Sequence, residues 1–148
     1  MKTFLSIGSV DVVHYNAASI RKATVSEQPR ATFVQDLAVN VGGALVATQA
    51  VTQQMSERRS GTILLTGGGL SLAPNSELIS LSIGKAGIRA LTLGTFESLK
   101  RKGIHVATVT ISTPVAPDSE AAEAVAECFW QLHSQPIDKW TAEVMYPG

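Results

Sequence analysis

The sequence predicts an α/β protein, part of a doubly wound parallel sheet with helices on both faces. Two observations lead to this fold class. Short runs of β-branched and aliphatic residues alternate with long segments of helical periodicity, an order typical of parallel sheets. The strand-like runs are also apolar through most of their length, as expected of strands that are covered on both faces.

Length and composition set further limits. The 148 residues suit one domain, and 45% hydrophobic with 16% charged residues predict a folded chain. The formal net charge is zero, which does not predict nucleic-acid binding. Cys128 is the single cysteine, so an internal disulfide is excluded. No signal-peptide pattern and no stretch of about 20 apolar residues is recognised, so we expect a cytoplasmic protein without a membrane partner.

The first strand is predicted at Val10–Tyr15, and it runs into a loop at Asn16-Ala17-Ala18. Residues 21–30 are polar, so the loop continues there. The first helix is predicted at about residues 32–57, because apolar or small side chains recur at helical spacing. These positions are Val34, Leu37, Ala38, Val41, Leu45, Thr48, Val51 and Met55.

The second strand, Thr62–Thr66, ends in the glycines Gly67-Gly68-Gly69. A second helix is predicted at about residues 77–102, and Gly103 ends it. The third strand follows at about residues 105–111. The second helix has apolar and small residues along one side, namely Ile83, Ala86, Ala90, Leu93 and Phe96.

A third helix is predicted at Ser119–His133, with Asp118 or Ser119 as its N-cap. A short final strand is predicted within residues 136–148. The core face of this helix comprises Ala122, Val125, Phe129 and Leu132. The histidines lack metal-ligand spacing, and we predict no metal site; they are His14, His105 and His133.

The segment from Thr62 to Gly69, followed by Ser82-Ile83-Gly84-Lys85-Ala86-Gly87, resembles the active-site half of the short-chain dehydrogenase/reductase family. The resemblance covers about residues 9–117 and leaves 118–148 as a C-terminal helix and tail. It implies the last strands of a Rossmann-type sheet. In that family the strand order is 3-2-1-4-5-6-7, so the strand at Val10–Tyr15 would lack its inner neighbour and have an exposed edge.

The same resemblance implies the site residues. Lys85 matches the catalytic lysine that also binds the nicotinamide ribose of NAD or NADP. Asn40 resembles the helix asparagine whose backbone helps to hold a water of the proton relay. Asn16, Ala17 and Ala18 resemble the Asn-Asn-Ala-Gly loop beside the adenosine part of the cofactor. Without the resemblance, Lys85 is a solvated helix lysine and Asn40 is a packing or water-binding residue.

Two positions depart from the family pattern. Gly68 stands where the catalytic serine is expected, and Leu81 stands where the catalytic tyrosine is expected. A positioned general acid contributes about 10² to 10⁴ in rate, and neither residue has a proton to donate from its side chain. A hydroxyl from Ser71, Ser80 or Ser82 is the alternative.

No glycine-rich phosphate loop separates the first strand from the first helix. We therefore expect this chain to bind NAD(P)H weakly or not at all. We expect Met1–Gly8 to be the remnant of a preceding helix and turn, and the chain to be N-terminally truncated or to be a fragment that a partner completes.

The sequence thus predicts an NAD(P)-dependent oxidoreductase of the short-chain type that acts on a small molecule, with its catalytic hydroxyls replaced. The alternative is a non-catalytic binding or dimerisation module of the same fold. In either case the family resemblance implies a homo-oligomer formed through the two long helices, whose small residues permit close packing. These residues are Ala44, Ala47, Ala86, Gly87, Ala90 and Gly94.

Overall fold

The sheet has four parallel strands in the order β1-β2-β3-β4. We analysed a computed structural model, which describes residues 8–148. The strands are β1 (Val12–Tyr15), β2 (Gly61–Thr66), β3 (Ile104–Ile111) and β4 (Glu143–Tyr146). The predicted parallel sheet and the short final strand are confirmed. The predicted remnant at the N-terminus lies outside the described residues, except for Gly8.

Three long helices connect the strands. They are α1 (Arg30–Arg58), α2 (Ile79–Arg101) and α3 (Glu120–Ser134). Each lies within two residues of its predicted bounds. Helix α1 differs from the prediction in one respect, since a π-helical turn at Ala38–Gly42 interrupts its α-helical geometry.

Helices cover both faces of the sheet, as predicted. Helices α1 and α2 pack on one face around Met55, Leu65, Ile88 and Val106, which are buried. Helix α3 packs on the opposite face, where Phe129 and Leu132 contact a cluster that includes Leu64, Ala107 and Val109.

The predicted core face of α3 is confirmed. Val125, Phe129 and Leu132 are buried. The side chain of Ser119 accepts a hydrogen bond from the backbone N–H of Ala122 at 3.1 Å, so Ser119 is the N-cap. The apolar spacing was sufficient here because a single face of this helix meets the sheet.

The apolar stripes of α1 and α2 were less informative. Thr48, Val51 and Met55 of α1 face the core, but Val34 and Leu45 of the same predicted face are 67% and 44% exposed. The π-helical turn takes more residues per turn than an α-helix and so shifts the phase of α1 between its two halves, which means that a stripe of regular α-helical spacing cannot face the sheet throughout.

In α2 most of the predicted apolar side points outward. Ile83 and Leu93 are 42% and 40% exposed, whereas the inward residues include Ser80, Ser82 and Thr92. These inward polar residues have hydrogen-bond acceptors inside the fold, which compensates for their burial. The outward apolar surface of α1 and α2 is therefore a feature of the fold.

Helix α1 is long and apolar enough, by length and composition alone, to cross a membrane, which the sequence analysis did not anticipate. Core helices of globular proteins pass the same test. The inward side of α1 carries Asp36, Asn40 and Thr48, and its Val51 and Met55 pack on the sheet. These contacts hold one side of α1 against the sheet, while only 22% of its apolar window is buried.

Strand β1 lies at one edge of the sheet. In the part of the chain that the structure describes it pairs with β2 alone. Its Val12 is 40% exposed and His14 is exposed as well. An apolar strand with a free edge is the arrangement that the family resemblance implied for this position.

Candidate functional site

The loops that follow β1, β2 and β3 meet at the carboxyl edge of the sheet. Residues 16–18 follow β1, Gly67-Gly68-Gly69 follow β2, and Ser112 follows β3. Ligands of open α/β sheets bind beyond this edge. The sequence-predicted residues therefore reach the edge at which a site is expected.

Lys85 and Gly68 lie side by side. Lys85 projects from α2, and its Nζ donates a hydrogen bond to the backbone carbonyl of Thr66, the last residue of β2, at 2.7 Å. A Cβ atom on Gly68 would lie 3.2 to 3.4 Å from the aliphatic carbons of Lys85. The absence of a side chain at position 68 thus leaves room for the lysine stem against the backbone.

Among residues 8–148 the Lys85 amine has no anionic partner. No carboxylate of the described residues lies within 4.0 Å of its Nζ, since the ion pairs there involve other cations. Burial lowers the pKa of Lys85 below its ordinary value, because a charged amine loses hydration inside the protein. The site thus favours the neutral amine more than water does.

Asn40 is buried at 3% exposure and binds the loop after β1. Its Oδ1 accepts from the backbone N–H of Ser19 at 2.6 Å, and its Nδ2 donates to the backbone carbonyl of Ser19 at 3.0 Å. Gly84 of α2 lies against Asn40, and any Cβ at position 84 would collide with it. Asn40 therefore joins the loop, α1 and α2, and its side chain acts as a structural clamp.

The π-helical turn of α1 is centred on Asn40. One carbonyl of this turn, that of Val39, accepts a hydrogen bond from the Tyr15 hydroxyl at 2.6 Å. Single π-helical turns in α-helices often occur at functional sites. Tyr15 was not predicted to have a role, and only the packing of β1 on α1 reveals its partner.

Asp36 is a second residue that the sequence analysis missed. It is 1% exposed, and its carboxylate accepts hydrogen bonds from four side chains. These are Arg21 at 2.9 and 3.3 Å, Ser19 at 2.6 Å, Gln28 at 2.9 Å and Ser80 at 3.0 Å. The Arg21 guanidinium and these donors hold the pKa of Asp36 far below its ordinary value. The available signal was its spacing, four residues before Asn40 on one helix face.

Asn16, Ala17 and Ala18 are exposed at the end of β1. Ser19, which follows them, is fixed by Asn40 and Asp36. The loop therefore has one anchored end beside the carboxyl edge of β2. The cofactor contact implied for these three residues remains a prediction.

The alternative hydroxyls have separate positions. Ser80 donates to Asp36, and Ser82 exchanges hydrogen bonds with the backbone of Asn75. The buried Oγ of Ser71 has no partner among the described residues. Leu81 itself is buried at 7% exposure. Ser80 and Ser82 are thus engaged in structural hydrogen bonds with Asp36 and Asn75.

A polar network lies one turn further along α2. Arg89 forms a two-pronged ion pair with Glu143 of β4, with distances of 2.9 to 3.2 Å, and Thr110 of β3 donates to the same carboxylate at 2.6 Å. The network lowers the pKa of Glu143 against the opposing effect of its burial. Glu143 is therefore neutralised by Arg89 and is not a counter-ion for Lys85.

Two surface hollows lie elsewhere. One is lined by polar residues of α1 and by Lys102, and a smaller one, of about 220 Å³, is lined by Val25, Phe33, Ile79 and Ile83 among others. No group of three or more metal-ligating side chains occurs in residues 8–148. Neither hollow includes Lys85 or Gly68, so the candidate site rests on the geometry of the sheet edge.

The family model for short chain dehydrogenases matches residues 2–126. The chain therefore belongs to the short-chain dehydrogenase family. This agrees with the parallel sheet and with a lysine on the helix that follows β2.

Curated relatives are longer than this chain. The 5-keto-D-gluconate 5-reductase of Escherichia coli K12 is 26% identical over 140 residues, covering 90% of this chain and 53% of the relative. An uncharacterized oxidoreductase of Thermotoga maritima is 28% identical over 111 residues, covering 75% and 43%. The chain thus spans about half the length of these relatives.

Solved structures show the same fold. A short-chain dehydrogenase from Rhodopseudomonas palustris superposes with a TM-score of 0.85 at 26% identity, over 97% of this chain and 66% of that chain. A metagenomic short-chain oxidoreductase in complex with NADP has a TM-score of 0.84 at 20% identity, over 97% and 64%. The second likeness shows the fold alone.

Proposed function

We propose that this chain forms the nicotinamide-facing and substrate-facing part of an NAD(P)-dependent oxidoreductase. The observation that carries this proposal is the position of Lys85. Its amine lies at the carboxyl end of β2, and its side chain packs beside Gly68. A cofactor ribose could accept hydrogen bonds from Nζ at this edge. The exposed loop at residues 16–18 lies at the end of the neighbouring strand.

The residues present fit one end of the dinucleotide. The amine of Lys85 could donate to the nicotinamide ribose, but the sequence contains no glycine-rich loop for the pyrophosphate. We therefore propose that Lys85 holds the ribose end and that tight binding needs phosphate contacts from outside residues 1–148.

When bound, NAD(P) would supply or accept a hydride. The chain itself would bind the ribose, exclude water with Leu81, and hold the loop after β1 through Asn40 and Asp36. Gly68 and Leu81 provide no side-chain acid, so protonation of a substrate oxygen would need another group.

We propose a small polar carbonyl or alcohol as the substrate. The support is the printed name of the Escherichia coli relative, 5-keto-D-gluconate 5-reductase, at 26% identity. The net charge is zero, so the chain has no excess of basic residues, and a small molecule is favoured over a nucleic acid as its ligand. We propose a cytoplasmic location, because the single cysteine, Cys128, is compatible with a reducing compartment.

The test is nuclear magnetic resonance of the 148-residue chain with reduced nicotinamide mononucleotide and with NADPH. Shifts at Gly67, Gly68 and Lys85 are expected at millimolar concentrations, with loss of these shifts in Lys85→Met and retention in Lys22→Met. Lack of shifts at the sheet edge would contradict the proposed site. A micromolar dissociation constant for NADPH would contradict the need for outside phosphate contacts.

The outward apolar surface of α1 and α2 favours a second candidate function, a non-catalytic dimerisation module. The side chains of five residues on these helices are 40% or more exposed, namely Val34, Leu45, Val46, Ile83 and Leu93. Burial of such residues contributes about 25 cal/mol per Å² of apolar surface. We propose that a second copy of the chain covers this surface.

Sedimentation equilibrium tests whether two copies of the chain associate through this surface. The chain is expected to be dimeric, and Leu45→Glu with Leu93→Glu is expected to be monomeric, whereas Ile137→Glu on the opposite side of the chain remains dimeric. A monomeric parent chain at micromolar concentration would contradict the proposed interface. A dimer suits both functions, so the nucleotide shifts at Lys85 decide between them.

A further inference from the structure

Strand β4 forms the edge of the sheet opposite to β1, and in the described part of the chain it pairs with β3 alone. None of its four residues is fully buried, and Met145 is 49% exposed. The backbone N–H of Thr108 donates to the carbonyl of Ala142 at 2.9 Å. The N–H of Ser112 donates to the carbonyl of Tyr146 at the same distance. A short edge strand with little buried surface opens more readily than the central strands.

A buried histidine holds the segment that leads into β4. His105, the second residue of β3, is 1% exposed. Its Nε2 lies 2.9 Å from the backbone carbonyl of Thr141, and its ring stacks on Trp140 with centroids 4.7 Å apart. A carbonyl oxygen only accepts, so Nε2 carries the hydrogen of the neutral ring. The other nitrogen, Nδ1, is buried and has no hydrogen-bond partner among the described residues.

The same segment is closed on itself by Gln135. The indole N–H of Trp140 donates to the backbone carbonyl of Gln135 at 3.0 Å, and the Gln135 side chain accepts from the backbone N–H of Thr141 at 2.9 Å. These bonds hold the segment together without attaching it to the sheet. The side chain that fixes it to β3 is therefore that of His105.

The groups around the His105 ring do not compensate a positive charge. Helix α2 places the Phe96 ring edge-on at 6.3 Å, with the amine of Lys100 lying 5.7 Å from the centre of that ring. Burial lowers the pKa of His105, two backbone carbonyls oppose this effect, and the charges of His133 on α3 and of Lys100 add to it. No carboxylate of the described residues pairs with the ring. Protonation thus places an uncompensated charge in a buried position.

We propose that residues 135–146 form an acid-sensitive latch, in which protonation of His105 releases β4 from β3. In the latched form Nδ1 is shielded from water, whereas in the released form the ring is hydrated and takes up a proton. Because the latched form has the lower pKa, the latch is fully closed above the ordinary histidine value of 6.5 and weakens as the pH falls below it.

Release of the latch has a consequence for helix α2. Glu143 of β4 is the ion-pair partner of Arg89, which lies one helical turn after Lys85. When β4 leaves the sheet, the Arg89 guanidinium loses this carboxylate. Acid pH would thereby change the charge balance one turn away from the lysine of the candidate site, whether or not a nucleotide binds there.

Hydrogen exchange of backbone amides, measured by nuclear magnetic resonance on the 148-residue chain, tests the latch. The amides of Thr108 and Ser112 report on β4, and the amide of Gly67, bonded to the carbonyl of Val109 at 2.9 Å, reports on the centre of the sheet. Rates are expressed as protection factors, which removes the intrinsic effect of pH on exchange. The protection of Thr108 and Ser112 is expected to fall about tenfold between about pH 7.5 and about pH 5.5, since the latter is one unit below the ordinary histidine pKa.

Gly67 should keep its protection over this range. Constant protection of Thr108 and Ser112 would overturn the proposal. An equal fall at Gly67 would overturn it as well, because the whole domain and not the latch would then open in acid.

His105→Gln identifies the titrating group. Glutamine keeps a side-chain N–H for the Thr141 carbonyl and does not titrate, so the protection of Thr108 should no longer depend on pH. His14→Gln, on the opposite edge of the sheet, is the matched control and should retain the tenfold fall. An acid response that persists in His105→Gln would overturn the role of this histidine.

A second measurement covers a His105→Gln chain that does not fold. In the parent chain the ring carbons of His105 should show a neutral ring at about pH 5.5 as long as Thr108 is protected. A fully protonated His105 ring with unchanged protection of Thr108 would overturn the latch. These assays contain no nucleotide, so their outcome is separate from that of the proposed oxidoreductase.

Discussion

Two charged side chains lie near neighbouring strand ends: Asp36 beside the loop after β1, and Lys85 with its amine at the end of β2. They differ in how many partners compensate the charge. Asp36 accepts hydrogen bonds from four side chains, one of them the Arg21 guanidinium. Lys85 donates to a single neutral carbonyl. The first charge is fully compensated and stabilises the fold, and the second is not compensated.

This difference in compensation distinguishes a buried charge with a structural role from a candidate functional group. A buried charge with complete partners is retained by the packing around it, and removing one member leaves the others without partners. A buried charge without a counter-ion costs stability, and such groups are concentrated at functional sites. The Asp36 network is therefore structural, whereas the Lys85 amine has no counter-ion within 4.0 Å among residues 8–148.

The largest expected effect is that of Asp36→Ala. Removal of the carboxylate leaves Ser80 and Gln28 without their acceptor, so the free energy of unfolding should fall by about 3 kcal/mol, the lower part of the range for a broken buried ion pair because Arg21 is partly exposed. Urea unfolding measures it. Glu97→Ala, an exposed acid on α2, should change stability by less than about 0.5 kcal/mol. Equal effects of the two substitutions would contradict the compensated network.

Gly84→Ala is expected to cost about 1 to 3 kcal/mol, because the new methyl group would collide with Asn40 in a packed interior. Gly94→Ala is the matched control on the same helix, where no atom lies within 4 Å of the added Cβ. It should stabilise the chain by about 0.5 to 1 kcal/mol. Thermal unfolding of both variants checks the prediction, which a stabilised Gly84→Ala would refute.

The Asp36 contribution should depend on acid pH. The folded-state pKa of Asp36 lies below that of the unfolded chain, so its stabilisation is complete above the unfolded value of about 3.9 and decreases as pH falls below it. The difference in unfolding free energy between the parent chain and Asp36→Asn should therefore be constant from pH 7 to 5 and shrink towards pH 3. A difference that grows in acid would reverse the assigned sign.

The smallest expected effect is that of Lys85→Met. Burial lowers the pKa of Lys85, so its charge costs stability at pH 7, and a methionine of similar length should change the unfolding free energy by less than about 0.5 kcal/mol or increase it slightly. Lys102→Met, at an exposed position, serves as the control. A large loss of stability would show that Lys85 belongs to the structural network.

Much of the fold follows from local patterns. The β-branched runs predicted the four strands, and the spacing of Val125, Phe129 and Leu132 predicted the inward face of α3. The glycine-ended strand and the lysine-bearing helix were both predicted, and the structure brings Gly68 and Lys85 side by side. Such inferences succeed because strand ends and helix faces are set by residues close in sequence.

The hydrogen bonds that fix the residues around the site could not be predicted from local patterns. Asp36 meets Ser19, Arg21 and Ser80 from two other segments, and Tyr15 meets the Val39 carbonyl in a π-helical turn. The outward apolar side of α2 was also missed, since periodicity identifies a stripe but not the surface that it faces.

The sequence alone thus determined the fold class, the family, the position of Lys85 and the absence of hydroxyls at Gly68 and Leu81, because these depend on residue identity and order. The tertiary structure decided which charges have partners. Asp36 is compensated and Lys85 is not, because hydrogen bonds and counter-ions come from segments that are distant along the chain and near only in the folded protein.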